Sequence, residues 1–144
     1  MDKVKIFNTD VEAGLRSISL LNAIYPESMG FEDLLKFDYI LIYSGDFEGP
    51  DSLHPQLPNR KGELAVRRSL VREGIALMKK FGMIQSKCKE GGIFYSATEE
   101  VEPFLKLMKS EYSAKLKDNS IWCANNIAFL KKANLNVLFK DEAF

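Results

Sequence analysis

The single histidine of the chain, His54, follows three acidic residues, Asp46, Glu48 and Asp51, in one stretch rich in proline and glycine. A histidine beside loop carboxylates is the raw material of a divalent-metal site. Here it lacks the helical or paired-cysteine spacing that gives such sites their geometry, and a histidine packed between prolines is the favoured reading. No metal and no cofactor is expected. Ser44, Ser52 and Cys88 are the nearby nucleophile candidates, and His54 is the one base each could use. Their spacing matches no triad, and activation needs a base that is itself oriented by a third group. Gly91-Gly92 lies between two alternating apolar segments, not between a strand and a helix, so it does not form a phosphate-binding loop. These residues predict a protein that is not an enzyme and has no catalytic residues.

The elements that position these residues follow from spacing. Thr9-Asp10-Val11-Glu12 has the form of a capping box. Val11, Leu15, Ile18, Leu21 and Ile24/Tyr25 recur after it at helical spacing until Pro26. A second helix is predicted from Phe31 to Tyr43, with Glu32 and Asp33 suiting its N-terminus and Leu34, Leu35, Asp38 and Ile42 giving it a mixed face. Residues 44–60 form an irregular connection. A third helix starts at Gly62-Glu63 and ends at Gly82, a residue suited to a left-handed C-terminal position. Residues 83–88 and 93–97 alternate as two strand arms around Lys89-Glu90-Gly91-Gly92. Thr98 caps a fourth helix with Val101, Phe104, Leu105, Met108, Tyr112 and Leu116 on one face. Asp118-Asn119-Ser120 restarts a fifth with Ile121, Trp122, Asn125, Ala128 and Phe129. Phe104, Tyr112, Trp122 and Phe129 are read as core aromatics, and the tail from Asn134 is left unassigned. The result is a mainly α chain with a small β-hairpin. It is expected to be a single winged-helix-like domain over 1–144, with its wing at about 83–97 and extra C-terminal helices at about 98–133.

On a wheel of about 100° per residue, Lys61, Arg68, Arg72 and Lys79 form one stripe of the third helix, interrupted by Ala65 and Ala76. Leu64, Val66, Leu70, Val71, Ile75, Leu77, Met78 and Phe81 lie opposite. A basic stripe on this helix of a winged-helix domain would meet phosphates or an acidic protein surface. It carries no interleaved Asn, Gln, Ser or Thr to read base edges, which favours a solvated or protein-binding face over sequence-specific DNA recognition. Arg67 falls inside the apolar arc, where a cation must be paired or must reach outward. Asp46, Glu48 and Asp51 are its expected partners, so that Arg67 pins the loop carrying Asp46 and His54 to the helix.

The stretches Ser44-Gly45-Asp46, Leu53-His54-Pro55, Asn59-Arg60-Lys61-Gly62-Glu63, Val66-Arg67-Arg68, Val71 to Met78 and Phe81-Gly82-Met83-Ile84 occur in that order over roughly the central third of the sequence. This text resembles the small middle component of bacterial three-component ABC ATPase (ABC-3C) conflict systems, a group that includes the third subunit of Lamassu-type anti-phage defence complexes. The resemblance implies a non-catalytic bridging subunit. It would join or regulate an SMC-like ABC ATPase and an effector such as a nuclease, with DNA reached through the complex. The alternative is a free-standing winged-helix transcriptional regulator.

Charge is divided unevenly along the chain. The formal net charge is zero, yet residues 1–59 hold 10 acids against 4 bases, and residues 60–117 hold 13 bases against 7 acids. Such a split suits a match between halves, a basic surface for a polyanion or acidic protein, or a solvated distribution without a partner. No apolar run approaches the roughly 20 residues that cross a bilayer, and the N-terminus lacks a signal-peptide pattern. Two cysteines, Cys88 and Cys123, are too few for a disulfide framework, so a cytoplasmic location is expected.

Overall fold

Thr9 opens the first helix as the sequence implies. In the computed structural model, which describes residues 9–53 and 60–132 except for the side chains of residues 60–65, its Oγ1 accepts from the Glu12 N–H at 3.1 Å. Helix α1 (Asp10–Ala23) follows and buries Ile18, Leu20 and Leu21. A two-residue strand β1 (Met29–Gly30) leads directly into α2 (Phe31–Ile42), which is helical as predicted, through the run Tyr39-Ile40-Leu41-Ile42. A 3-10 turn (Ser44–Phe47) begins the connection to α3 (Arg60–Lys80). Strands β2 (Ile84–Lys89) and β3 (Gly92–Ala97) form the hairpin.

Glu90 and Gly91 both take positive φ, 51° and 77°, at the hairpin tip. A two-residue turn of that hand matches the twist of the flanking strands, and a glycine there removes the Cβ penalty. β3 lies in the middle of a three-stranded antiparallel sheet, β1-β3-β2, with Met29 opposite Tyr95 and Ile84 opposite Ala97. The small hairpin expected from sequence is therefore a sheet of three strands. β1 gave no signal because two residues cannot display an alternation. The chain is mainly helical with this small sheet, and its element order is compatible with a winged-helix-like arrangement.

The C-terminal helices divide differently from the reading of the sequence. α4 (Val101–Lys106) is a short helix, and α5 runs from Glu111 to Asn125, followed by α6 (Ile127–Lys131). Ser110 caps α5 by accepting from the Ser113 N–H at 3.1 Å, so the break falls near Ser110 and not at Asp118-Asn119-Ser120. The side chains of Asn119 and Ser120 are directed inward to tertiary partners instead of capping. Phe129, read as a core aromatic, is 62% exposed on the short α6, which presents Leu130 to the interior in its place.

α1 packs most extensively on α3, and glycine sets how closely they approach. A Cβ on Gly74 would lie 2.6 Å from the Gly14 nitrogen and 2.8 Å from the Asp10 carbonyl oxygen. The buried stripe of α3 consequently runs through Arg67, Val71, Gly74, Ile75 and Met78, at i, i+4, i+7, i+8 and i+11. Val66 and Phe81, both placed by the wheel on the core face, are 53% and 64% exposed.

Candidate functional site

Two features of α3 face opposite ways, one into the core and one to solvent. Inside, Arg67 Nη1 donates to Asp38 Oδ2 at 2.6 Å, and Arg16 Nε donates to Asp38 Oδ1 at 2.7 Å. All three residues are buried, and they tie α1, α2 and α3 at one carboxylate. The Arg67 guanidinium also lies over the Tyr39 ring, 5.6 Å from its centre. The carboxylate that holds Arg67 thus comes from α2, whereas the sequence pointed to the acids of the 44–60 loop. The physical reason is that Asp38 faces the core one residue before Tyr39, at the contact of α2 with α3. His54 lies outside the described residues.

Burial disfavours the charge on Asp38, but Arg16 and Arg67, through charge and hydrogen bonds, outweigh it and hold the carboxyl below its ordinary range. Burial likewise opposes the charge on Arg16, and Asp38 with Tyr112 more than offsets that effect. Around the triad, burial pushes the Tyr112 hydroxyl up to about 12 and raises Glu12, in each case against the pull of Arg16. The network therefore centres on Asp38, held by Arg16 and Arg67, with Glu12 and Tyr112 in the field of Arg16, and touches α1, α2, α3 and α5. Arg16 was missed in the sequence because its partner, Asp38, lies 22 positions away on another helix and no local spacing points to it.

Outside, the stripe is more built than the wheel suggested. Arg68 donates through Nη1 and Nη2 to the two Glu32 oxygens at 2.9 and 3.0 Å, a fork-to-fork pair exposed on both sides. The hydrogen bond from Arg68 is the main reason that Glu32 is held below its ordinary range. Arg68 and Arg72 both lie over the Phe31 ring, at 5.6 and 4.9 Å from its centre. Arg72 stands at a cleft of about 320 Å³ lined by Phe31, Ile75, Ile93 and Tyr95, between α3 and the hairpin. Lys79 is exposed two turns further on, while the side chain of Lys61 lies outside the described residues. Lys89 on the hairpin covers the Phe94 ring at 5.0 Å. The structure thus joins Arg68 and Arg72 on one aromatic platform, and Phe31 and Glu32 are the parts that the wheel of one helix does not reveal.

The 44–53 segment is held by α5. Asn119 Nδ2 donates to the Leu41 carbonyl at 3.2 Å and to Ser44 Oγ at 3.0 Å, and the Ser44 hydroxyl donates to the Pro50 carbonyl at 2.8 Å. Trp122 lies flat against Gly49, where a Cβ would come within 2.6 Å of the indole. The 44–53 segment is therefore fastened to α5. Among the described residues, no group of three or more His, Cys, Asp or Glu side chains is gathered in a way that could hold a metal ion. No helix of the described residues is long and apolar enough to cross a membrane.

A mainly helical chain with an arginine platform and a tied loop is a candidate for macromolecular contact. The model of one family, ABC-three component (ABC-3C) system Middle Component 2, matches residues 6–144, and the chain belongs to that family. The match extends well beyond the central third whose text carried the resemblance. Searches of curated proteins and of solved structures each found no match.

Proposed function

We propose that this protein is a non-catalytic accessory subunit that bridges or regulates an SMC-like ABC ATPase and a nuclease-type effector, in a cytoplasmic anti-phage defence complex of the Lamassu type. The observation that carries the reading is the family membership over residues 6–144. The α3 platform supports it. Arg68 and Arg72 are spread over Phe31 as planar cations at an exposed face, and arginine over an aromatic ring is common at protein interfaces. The exposed Arg68–Glu32 pair is easily exchanged for a partner's carboxylate.

One observation favours a second reading, a winged-helix DNA-binding regulator. The β1-β3-β2 sheet places a hairpin bearing Lys87 and Lys89 beside α3. A helix and wing so arranged could straddle the phosphates of a duplex.

The discriminating experiment reverses Arg68 and Arg72 to glutamate and repeats pull-down of the other system components at low and high salt. The accessory reading expects weaker assembly, most marked at low salt, with the melting temperature kept, because rim charges act on association. Unchanged recovery of both partners and unchanged DNA binding by the complex would reduce the stripe to a solvated face.

A further inference from the structure

A second candidate surface lies away from α3. A trough of about 520 Å³ runs between the C-terminal half of α1, the α4 segment and the first three turns of α5. It exists because the facing side chains are small: Ser19 and Ala23 on α1, and Ser113, Ala114 and Ser120 on α5. The Ser19 and Ser120 hydroxyls hydrogen-bond at 2.8 Å and close its base. Leu105, Met108, Leu116 and Ile121 give it an apolar lining. Ile121 is 44% exposed, and Leu107, in the neighbouring turn, is 77% exposed. Apolar side chains of this size left open beside a trough mark an interaction surface.

The charge of the trough says what would cover it. Lys106, Lys109 and Lys117 contribute three cations, and Glu102, which accepts from Asn22 Nδ2 at 3.3 Å, is the one acid. The N-terminus of α5 opens on the same trough through Ser110 and adds its positive end. None of the described lining residues is aromatic, so single-stranded bases would find no stacking platform. A phosphate backbone would leave the apolar lining uncovered. We propose that this trough docks an acidic amphipathic helix of a partner subunit, with apolar residues at i, i+3/i+4 and i+7 on Leu105, Met108 and Ile121 and carboxylates meeting Lys106, Lys109 and Lys117. This rests on the accessory-subunit reading and gives it a contact separate from the α3 platform.

The test places the photo-cross-linker p-benzoylphenylalanine at position 121, with position 81 as the control, in the complex reconstituted from this chain and the other components of its system. The expected adduct from position 121 maps to a partner segment of net negative charge with apolar residues at helical spacing. Lys109→Glu with Lys117→Glu, positions on the exposed rim, should weaken the complex about tenfold near 0.1 M salt and less at high salt, with the melting temperature kept. An adduct to nucleic acid or to a second copy of this chain, no adduct, or unchanged affinity overturns the proposal. If the wild-type chain fails to assemble with the other components at all, the accessory reading itself falls. If it assembles while position 121 stays silent, only the trough proposal falls.

Discussion

Replacing Asp38 should unfold this protein more readily than replacing either arginine that it holds. Asp38 is 2% exposed and takes two short charge-assisted hydrogen bonds, from Arg16 at 2.7 Å and from Arg67 at 2.6 Å. Removing one partner of a buried pair costs about 3–5 kcal/mol, because the charge left behind has lost both water and its counterion. Asp38→Ala takes the shared carboxylate from two buried guanidiniums at once, so a loss of about 4–5 kcal/mol is expected. Arg67→Ala leaves Asp38 with Arg16, and about 2–4 kcal/mol is expected. Arg68→Ala, on the exposed face, should leave the unfolding midpoint unchanged. Urea unfolding followed by the fluorescence of Trp122, the single tryptophan, measures all of these. The Asp38→Ala/Arg67→Ala double variant should fall short of the summed single losses by about 1–3 kcal/mol, since the two residues share one interaction.

The same site gives a pH dependence. Its folded-state pKa is depressed, so the contribution of Asp38 is fully present above the unfolded value of about 3.9 and is lost as pH falls through the lower folded value. Wild type should therefore lose more stability below about pH 4 than Asp38→Asn does. An Arg67→Ala loss equal to that of Asp38→Ala, or strict additivity in the double variant, would refute the reasoning.

Two further variants probe the packing. Gly74→Ala should cost about 1–3 kcal/mol, because its Cβ would meet the backbone of Gly14 and Asp10; a gain in unfolding midpoint, as at an exposed helix position, would contradict the close α1–α3 crossing. Asn119→Ala should cost about 1–3 kcal/mol by leaving buried polar groups unpaired, and should speed amide exchange in residues 44–53 more than in α1 or α3. A uniform change in exchange would mean that α5 does not clamp the loop.

Local signals in the sequence were sufficient where one segment held the whole device. Thr9 and Glu12, the third helix ending before Gly82, and the Glu90-Gly91 turn are each settled within a few residues by backbone geometry. Signals failed where the partner sits elsewhere in the chain. The burial of Arg67 could be read from its wheel position, but Asp38 lies 29 residues away on another helix, and the nearer loop acids looked equally suitable. Asn119 has the residue type of a cap, yet its amide satisfies Leu41 and Ser44 more than seventy positions upstream. The arginine stripe was legible as a helix face, whereas Phe31 and Glu32, which turn it into a platform, belong to α2. Helix boundaries after Thr98 shifted for the same reason, because Ser110 caps locally while Ser120 is bonded to Ser19.

The central claim, that this chain works as a subunit and not alone, is tested most directly by co-expressing it with the other components of its system and measuring the mass of the purified assembly. The same preparation of free chain is titrated against duplex DNA. An assembly containing this chain with the other components of its system, and only weak, sequence-independent binding of duplex by the free chain, is the expected result. A free chain that joins neither component yet binds one defined duplex tightly would contradict the account and establish the regulator reading in its place.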